Sequence, residues 1–239
     1  LRDRPKAGRR KAVAARGIPG PYPALTVVSH EVRLKAVNAA SARSVAVVRL
    51  SDPAEAVSLI VAGAAKGAAC IWIRNAVDDA ISAVQALAEH GIAADLLHAR
   101  FALCDRLRHE VALQGRFGRD GTDRSGRVLV ATQVAEQSLD LDFDVMVSDL
   151  APIGSLIQRA GRMWRHMDLR PTRPVPAPIL HVLSPDPAKV SERWLHGVLE
   201  KGAYVYPPVE QWRSAKVLFD TGALNTPEGL RHLIEAVHG

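Results

Sequence analysis

Sulfur and aromatic side chains are scarce here: two cysteines, three methionines and an aromatic content of 5% in 239 residues. Cys70 and Cys104 are too few for a disulfide framework and are not spaced as metal ligands. Both are expected as buried, reduced thiols in a cytoplasmic protein, with no metal site. No apolar run approaches the roughly 20 residues that cross a bilayer. No basic-then-apolar leader opens the chain, so a membrane is not an expected partner. A phosphate-cradling Gly-x-x-x-x-Gly-Lys-(Ser/Thr) loop is also missing, since Gly63-Ala64-Ala65-Lys66-Gly67 does not fit it, and a self-contained P-loop nucleotidase is thereby excluded. Leu1 is not an initiator methionine, and the chain is expected to be cut from a longer protein.

Net positive charge is missing from most of the chain as well. The net charge of +6 resides in residues 1–24, where seven Lys or Arg face Asp3 alone; from Leu25 onward 24 basic residues balance 24 acidic ones. Affinity for nucleic acid must then come from individually placed side chains rather than from a basic surface. Residues 1–24 carry Pro5, Pro19, Pro21, Pro23, Gly8, Gly17 and Gly20 among their arginines and cannot build a core. They are expected as a linker, a DNA-binding arm being the alternative.

Apolar residues are abundant, at 48%, enough for one α/β domain with a tail or appendage. Short β-like runs alternate with helical patterns, which predicts a largely parallel sheet covered by helices. The strands are expected at Val45–Val48, Ala69–Ile73, Ala94–Leu97, Val128–Thr132, Val145–Ser148 and Ile179–Leu183. Pro53 opens a helix that ends near Lys66-Gly67; Asn75 is the expected N-cap of a second, with Asp78 and Asp79 in its first turn and Gly91 as its stop. A third helix is expected over Leu103–Leu113, then a mobile, Gly-rich surface loop that exposes Arg116, Arg119, Arg124 and Arg127. Past Pro187 two helical stretches remain, around Glu192–Leu199 and Glu228–His238, the latter capped by Thr226. The expected division is a linker over 1–24, a main domain over 25–185, and a short helical C-terminal extension over 186–239 leading towards an accessory domain.

The chemistry is concentrated between Val128 and His166. A helix beginning near Ile157 is expected to carry Arg159, Arg162 and Arg165 at intervals of three, close together on one helix face, where guanidinium forks meet phosphate oxygens. Gly161 between two of them would let backbone approach a ligand or a neighbouring domain. By residue type alone, a solvated basic face fits the same spacing. Upstream stands Ala131-Thr132-Gln133-Val134-Ala135-Glu136-Gln137-Ser138-Leu139-Asp140. Together with Gln158-Arg159-Ala160-Gly161-Arg162-Met163-Trp164-Arg165 it resembles motifs V and VI of superfamily 2 helicases.

More narrowly, Glu136 to Asp144, Ser148-Asp149-Leu150-Ala151-Pro152, Trp164-Arg165-His166, Ile71 to Asn75 and Leu97 to Phe101 resemble the CRISPR-associated helicase-nuclease of type I systems. The likeness runs from about Tyr22 to the C-terminus. It implies the second of two RecA-like motor domains and the start of an accessory region. The family's strand-terminal Asp-Glu box for magnesium and the His-Asp dipeptide of its nuclease are absent, so the chain resembles half a motor.

The resemblance also implies roles. Arg162 and Arg165 are the arginine fingers of ATP hydrolysis, with Gln158 and Asp140 ordering the nucleotide. Arg74, Asn75, His98, Arg100, Thr132 and Gln133 form a single-stranded DNA track, and Glu136, Gln137 and Ser138 couple the two sites. ATP and Mg²⁺ are the implied cofactors, the metal being held by the first RecA-like domain. The implied partners are single-stranded DNA, the first RecA-like and nuclease domains of the parent protein, and an RNA-guided CRISPR surveillance complex. The residues themselves leave simpler readings open: a turn cap for Asp140, a packing role for His98, an acidic turn for Glu136 to Asp144. At the level of function, half of another superfamily 2 helicase or a nonenzymatic nucleic-acid-binding or partner-binding domain also remains open.

Overall fold

The computed structural model describes residues 24–28, 32–36, 42–136 and 139–239. The expected linker lies outside these residues but for Ala24, as do Gln137 and Ser138. Strands β1 (Ala24–Val28) and β2 (Val32–Ala36) pair antiparallel, Ala24 opposite Ala36, within a compact unit of their own that ends at Ala40.

The second unit, from Ser41 to Gly239, is built on a seven-stranded sheet. In chain order its elements are β3 (Arg43–Leu50), α1 (Pro53–Ala65), β4 (Cys70–Ile73), α2 (Val77–Glu89), β5 (Ala94–Leu97), α3 (Leu103–Phe117), β6 (Val128–Ala131), β7 (Val145–Asp149), α4 (Ile153–Ala160), β8 (Ile179–Leu183), α5 (His196–Leu199), α6 (Pro208–Thr221), β9 (Ala223–Thr226) and α7 (Glu228–His238). The spatial order is β5-β6-β4-β7-β8-β3-β9; every pairing is parallel except that of β9 with β3. This is the largely parallel α/β arrangement that the alternation predicts and the RecA-like one that the resemblance implies. Every residue of β4, β6 and β7 is buried, which is why β4, β6 and the first three residues of β7 read as unbroken apolar runs rather than alternating ones.

Helix boundaries follow local chemistry. The Asp52 carboxylate accepts the Glu55 N–H at 3.0 Å, and Glu55 in return accepts the Ser51 N–H at 3.0 Å, a reciprocal cap that starts α1. Gly67 and Gly91 follow α1 and α2 at φ +81° and +77°, a conformation that costs glycine nothing. Asn75 does not cap α2; Ala76 holds that position, and the Asn75 side chain turns inward, Nδ2 donating to the Leu150 carbonyl at 2.7 Å and Oδ1 facing the Arg159 guanidinium at 3.4 Å. Nor does Thr226 cap α7, its hydroxyl donating instead to the Arg43 carbonyl at 3.1 Å.

Four further expectations need correcting. α3 runs on to Phe117, drawn by packing of that ring on Phe143 at a centroid separation of 4.9 Å. In the segment after it, Arg124 is buried and donates to the Gly118 and Gly121 carbonyls, and Arg116 is half-buried against Asp95; Arg119 and Arg127 are exposed as expected, paired with Asp168 and Asp123. Cys70 is buried, its thiol pushed up to about 12 by desolvation and by Asp144, but Cys104 is exposed. Residues 186–239 are not purely helical: β9 joins the sheet, and α6 and α7 pack against α4. Among the described residues no helix is long and apolar enough to cross a membrane.

Candidate functional site

Strand register lines up one edge of the sheet. Ile73 lies opposite Ala131 and Ser148, and Ala131 opposite Leu97, so the next residue of each strand falls on one line in the order His98, Thr132, Arg74, Asp149. Three inter-strand spacings make this row roughly 14 Å long. It follows the carboxyl ends of β5, β6, β4 and β7, the place where open parallel sheets bind ligands.

The row contains the residues expected to follow a nucleic-acid strand, but it points them differently. Arg74 and Asn75 are 1% and 3% exposed. The Arg74 guanidinium lies 3.0 Å from the Asp149 carboxylate and stacks over Trp72 at 4.8 Å; the Asn75 N–H donates to Asp149 at 2.8 Å. These two side chains tie β4 to β7 and present nothing outward. Thr132 is 2% exposed, and the Gln133 amide donates to the Asn75 carbonyl at 2.7 Å. His98 is buried and stacked on Phe101 at 4.2 Å; its Nδ1 accepts the Arg100 N–H at 3.2 Å, which leaves Nε2 as the donor. Burial, ahead of Arg100 and His109, lowers its pKa below the ordinary histidine value, so the ring is neutral at pH 7. Arg100, with 63% of its side chain exposed, is the outward cation of the set, paired with Asp78 at 2.6 Å.

A contact that the sequence does not reveal closes the row from the side. The 3-10 turn Glu200–Tyr204 sits on it, with the Gly202 N–H donating to Asp79 at 2.7 Å. A Cβ at Gly202 would lie 3.1 Å from that of Asn75 and 3.2 Å from the Asp79 carboxylate, so a larger residue would press on both. Burial raises the Asp79 pKa, opposed by the Gly202 N–H and by Arg74.

β6 and β7 both run parallel to β4, so the chain between them must travel from the carboxyl edge of the sheet to its amino edge. It does so with a single 3-10 turn, Gln133–Glu136, and reaches a parallel bridge between Phe143 and Met163. This crossover is fastened to the interior by Arg159, which is 0% exposed. Arg159 Nε and Nη2 bind the Glu136 carboxylate at 2.8 and 2.7 Å, and Nη1 donates to Ser148 Oγ at 2.8 Å and the Asp149 carbonyl at 3.1 Å. Its residue type is the one expected at a phosphate, yet its burial leaves it no phosphate to meet.

The three arginines do not share a helix. α4 starts at Ile153, after Pro152, and stops at Ala160, so Arg162 and Arg165 lie in the turn beyond. The close approach served by Gly161 is to the Gln158 carbonyl, 3.1 Å from where its Cβ would stand. Arg162 is part-buried; it donates to the Glu136 carbonyl at 2.7 Å and also to the Leu139 carbonyl. Desolvation, then Arg165, lowers its pKa, against Asp140 and Glu136. Arg165 is more open, 42% exposed, with Nε 2.9 Å from Asp140 Oδ1; His166 Nε2 approaches the same oxygen at 3.2 Å. Arg162, Arg165 and Asp140 therefore form one cluster at the amino edge, with Gln158 exposed on α4.

Behind this turn lies a buried ionic cluster that the sequence does not disclose. Asp142 and Asp144 are 0% and 1% exposed and are bound by Arg170 at 3.0 and 2.9 Å and by Arg173 at 2.9 and 2.8 Å. Burial would raise the Asp142 pKa, but the Arg173 hydrogen bond, the Arg165 N–H and the charges of Arg173 and Arg170 outweigh it and hold the carboxyl below its ordinary range. Among the described residues no group of three His, Cys, Asp or Glu side chains could hold a metal ion.

The chain is similar to known proteins in sequence and in fold. Residues 66–168 match the family described as CRISPR-associated nuclease/helicase Cas3, C-terminal. The chain is 42% identical over 132 residues to the CRISPR-associated endonuclease/helicase Cas3 of Escherichia coli (strain K12), an alignment covering 53% of this chain and 15% of that protein. A crystal structure of a CRISPR-associated protein superposes with a TM-score of 0.79 at 37% identity, covering 93% of this chain and 25% of that one. T. fusca Cas3 with ADP gives 0.77 at 28%, covering 91% and 27%. A chain of a CRISPR RNA-guided surveillance complex, pre-nicking, gives 0.70 at 28%, covering 86% and 26%. The chain thus spans about a quarter or less of these relatives.

Proposed function

We propose that the chain is the C-terminal RecA-like region of a Cas3-type helicase-nuclease, to which it is similar, and so the second half of an ATP-driven single-stranded DNA motor serving type I CRISPR interference in the cytoplasm. The observation that carries the proposal is the crossover: one segment, pinned by Arg159, joins the row at the carboxyl edge to the arginine turn at the amino edge. A motor needs two sites joined by an element whose contacts can differ between states.

In this reading Arg162 and Arg165 stabilise charge developing on the transferred phosphoryl group. Asp140 holds Arg165 in place and, with Gln158, orders the nucleotide. Glu136, with Gln137 and Ser138, relays between the sites through Arg159. DNA follows Arg100, the His98 Nε2–H and the backbone around Thr132 and Gln133, while Arg74 and Asn75 keep the strand ends in register beneath it. The relatives solved with ATP, AMPPNP and ADP support nucleotide binding, here placed in a cleft between this domain and a companion RecA-like domain. A companion RecA-like domain would supply the phosphate loop and the magnesium ligands, a nuclease domain would cut the DNA, and the surveillance complex would recruit the whole.

The track is tested by salt dependence. Each cation lost from a single strand flattens the slope of log affinity against log salt by about 0.7. Arg100→Ala is expected to do so, and His98→Ala, whose ring is neutral, is expected to weaken binding at an unchanged slope. Anisotropy titrations with labelled single-stranded DNA at several salt concentrations decide it, and equal slopes in the two variants would reassign the track.

The half-motor reading makes a second prediction: the chain alone shows no DNA-stimulated ATPase, since it has no phosphate loop. Robust turnover by the purified chain, abolished by Arg162→Ala, would overturn it.

A further inference from the structure

The turn that carries Arg162 and Arg165 is held by a residue far away in sequence and outside both motifs. Arg43, on β3, donates Nη2 to the Ala160 carbonyl at 2.6 Å and Nη1 to the Met163 carbonyl. Its fork thus spans Gly161 and Arg162 from behind. The Ala160 carbonyl ends α4, where the helix dipole favours a cation. The turn needs such a hold, because Trp164 sits at φ +47°, a conformation that persists only where surroundings impose it. Two other fastenings hold it: Asp142 accepts the Arg165 N–H at 2.8 Å, and Phe143 exchanges backbone hydrogen bonds with Arg162 and Trp164 at 3.0 Å each. The Arg43 backbone is independently secured by pairing with Thr226 in β9, so a change of side chain leaves the strand in place.

We propose that Arg43 is a positioning residue for phosphoryl transfer, a clamp that sets the height and direction from which Arg162 and Arg165 reach the cleft. This rests on the motor reading above. A finger displaced by about 1 Å costs on the order of a hundredfold in rate, and a loosened turn a good part of that. A fork suits the task because it grips two carbonyls at a fixed separation, whereas an ammonium reaches one.

The test uses the intact parent protein and measures DNA-stimulated ATPase, KM for ATP and single-strand affinity for Arg43→Met, Arg43→Lys and Arg165→Ala. Arg43→Met is expected to lower kcat by about tenfold or more, with KM and DNA affinity within about twofold of the unsubstituted protein. Arg43→Lys is expected to fall about threefold, retaining one of the two carbonyl contacts. A kcat for Arg43→Met equal to that of the unsubstituted protein, or a loss that appears in KM instead, overturns the clamp. Should the methionine variant not fold, Arg43→Lys decides, and an unreduced kcat overturns the proposal. Arg165→Ala separates the two failures: if it turns over normally, the motor reading is wrong, and if it fails while Arg43→Met does not, only the clamp is.

Discussion

Replacing Arg165 by alanine in the intact parent protein is expected to lower ATP turnover by about three orders of magnitude or more, the scale of losing an arginine finger. Single-strand affinity without nucleotide should stay within a few-fold, because Arg165 sits at the amino edge of the sheet and the row expected to hold DNA at the carboxyl edge. Arg162→Ala should cost as much but act differently. Its guanidinium is bound to the Glu136 and Leu139 carbonyls. Removing it therefore also releases the crossover, and DNA should stimulate the residual hydrolysis less. Lysine at either position should not rescue, since a point charge cannot reproduce the planar fork. Steady-state ATPase with parallel anisotropy titrations checks this; loss of DNA binding with hydrolysis spared would reverse the assigned roles.

Arg159→Ala is expected to have the largest effect on stability. The arginine is fully buried against a Glu136 side chain that is 10% exposed, and truncation leaves that carboxylate and the Ser148 oxygen without their donor, the Asp149 carbonyl keeping only the Ser148 hydroxyl. Breaking one side of a buried ion pair costs about 3–5 kcal/mol. In a unit of this size that is a fall in melting temperature on the order of ten degrees. Removing both partners, with Arg159→Met and Glu136→Gln, should recover much of the loss, because no charge is then stranded. Thermal unfolding of the chain followed by circular dichroism is the measurement. A single variant that melts with the unsubstituted chain would show that the crossover is not fastened through this pair.

The parallel core was legible because β4 and β6 are apolar at every position, as are the first three residues of β7, and because Pro53, Gly67 and Gly91 punctuate the chain with conformational demands that are local. The same rules failed where a side chain answered to a distant partner. Asn75 looks like a helix cap until Leu150 takes its amide. Arg74 looks like a phosphate ligand until Asp149, 75 residues on, takes its guanidinium. Arg159, Arg162 and Arg165 share a spacing, but the helix ends between the first and the second, so one is sealed inside, one is half-buried and one is open. α6 and β9 were missed because Pro207-Pro208 and Asn225-Thr226 carry turn chemistry, and neither element announces the sheet edge it completes. Nothing in the spacing of Asp142 and Asp144 foretells Arg170 and Arg173.

β9 has a consequence for solubility. The strand it covers, β3, runs from Arg43 to Leu50, one of the longest in the sheet, and would otherwise offer a row of unpaired N–H and C=O groups to any extended chain that met it. Four residues, Ala223–Thr226, occupy its first half, and the Gly222 carbonyl accepts the next N–H, that of Val47, at 2.9 Å. The protection against edge-to-edge association on this side therefore comes from a segment that bears no helicase motif and lies more than fifty residues past the last of them. A boundary drawn around the motifs alone would enclose the chemistry and leave the sheet's most adhesive rim bare.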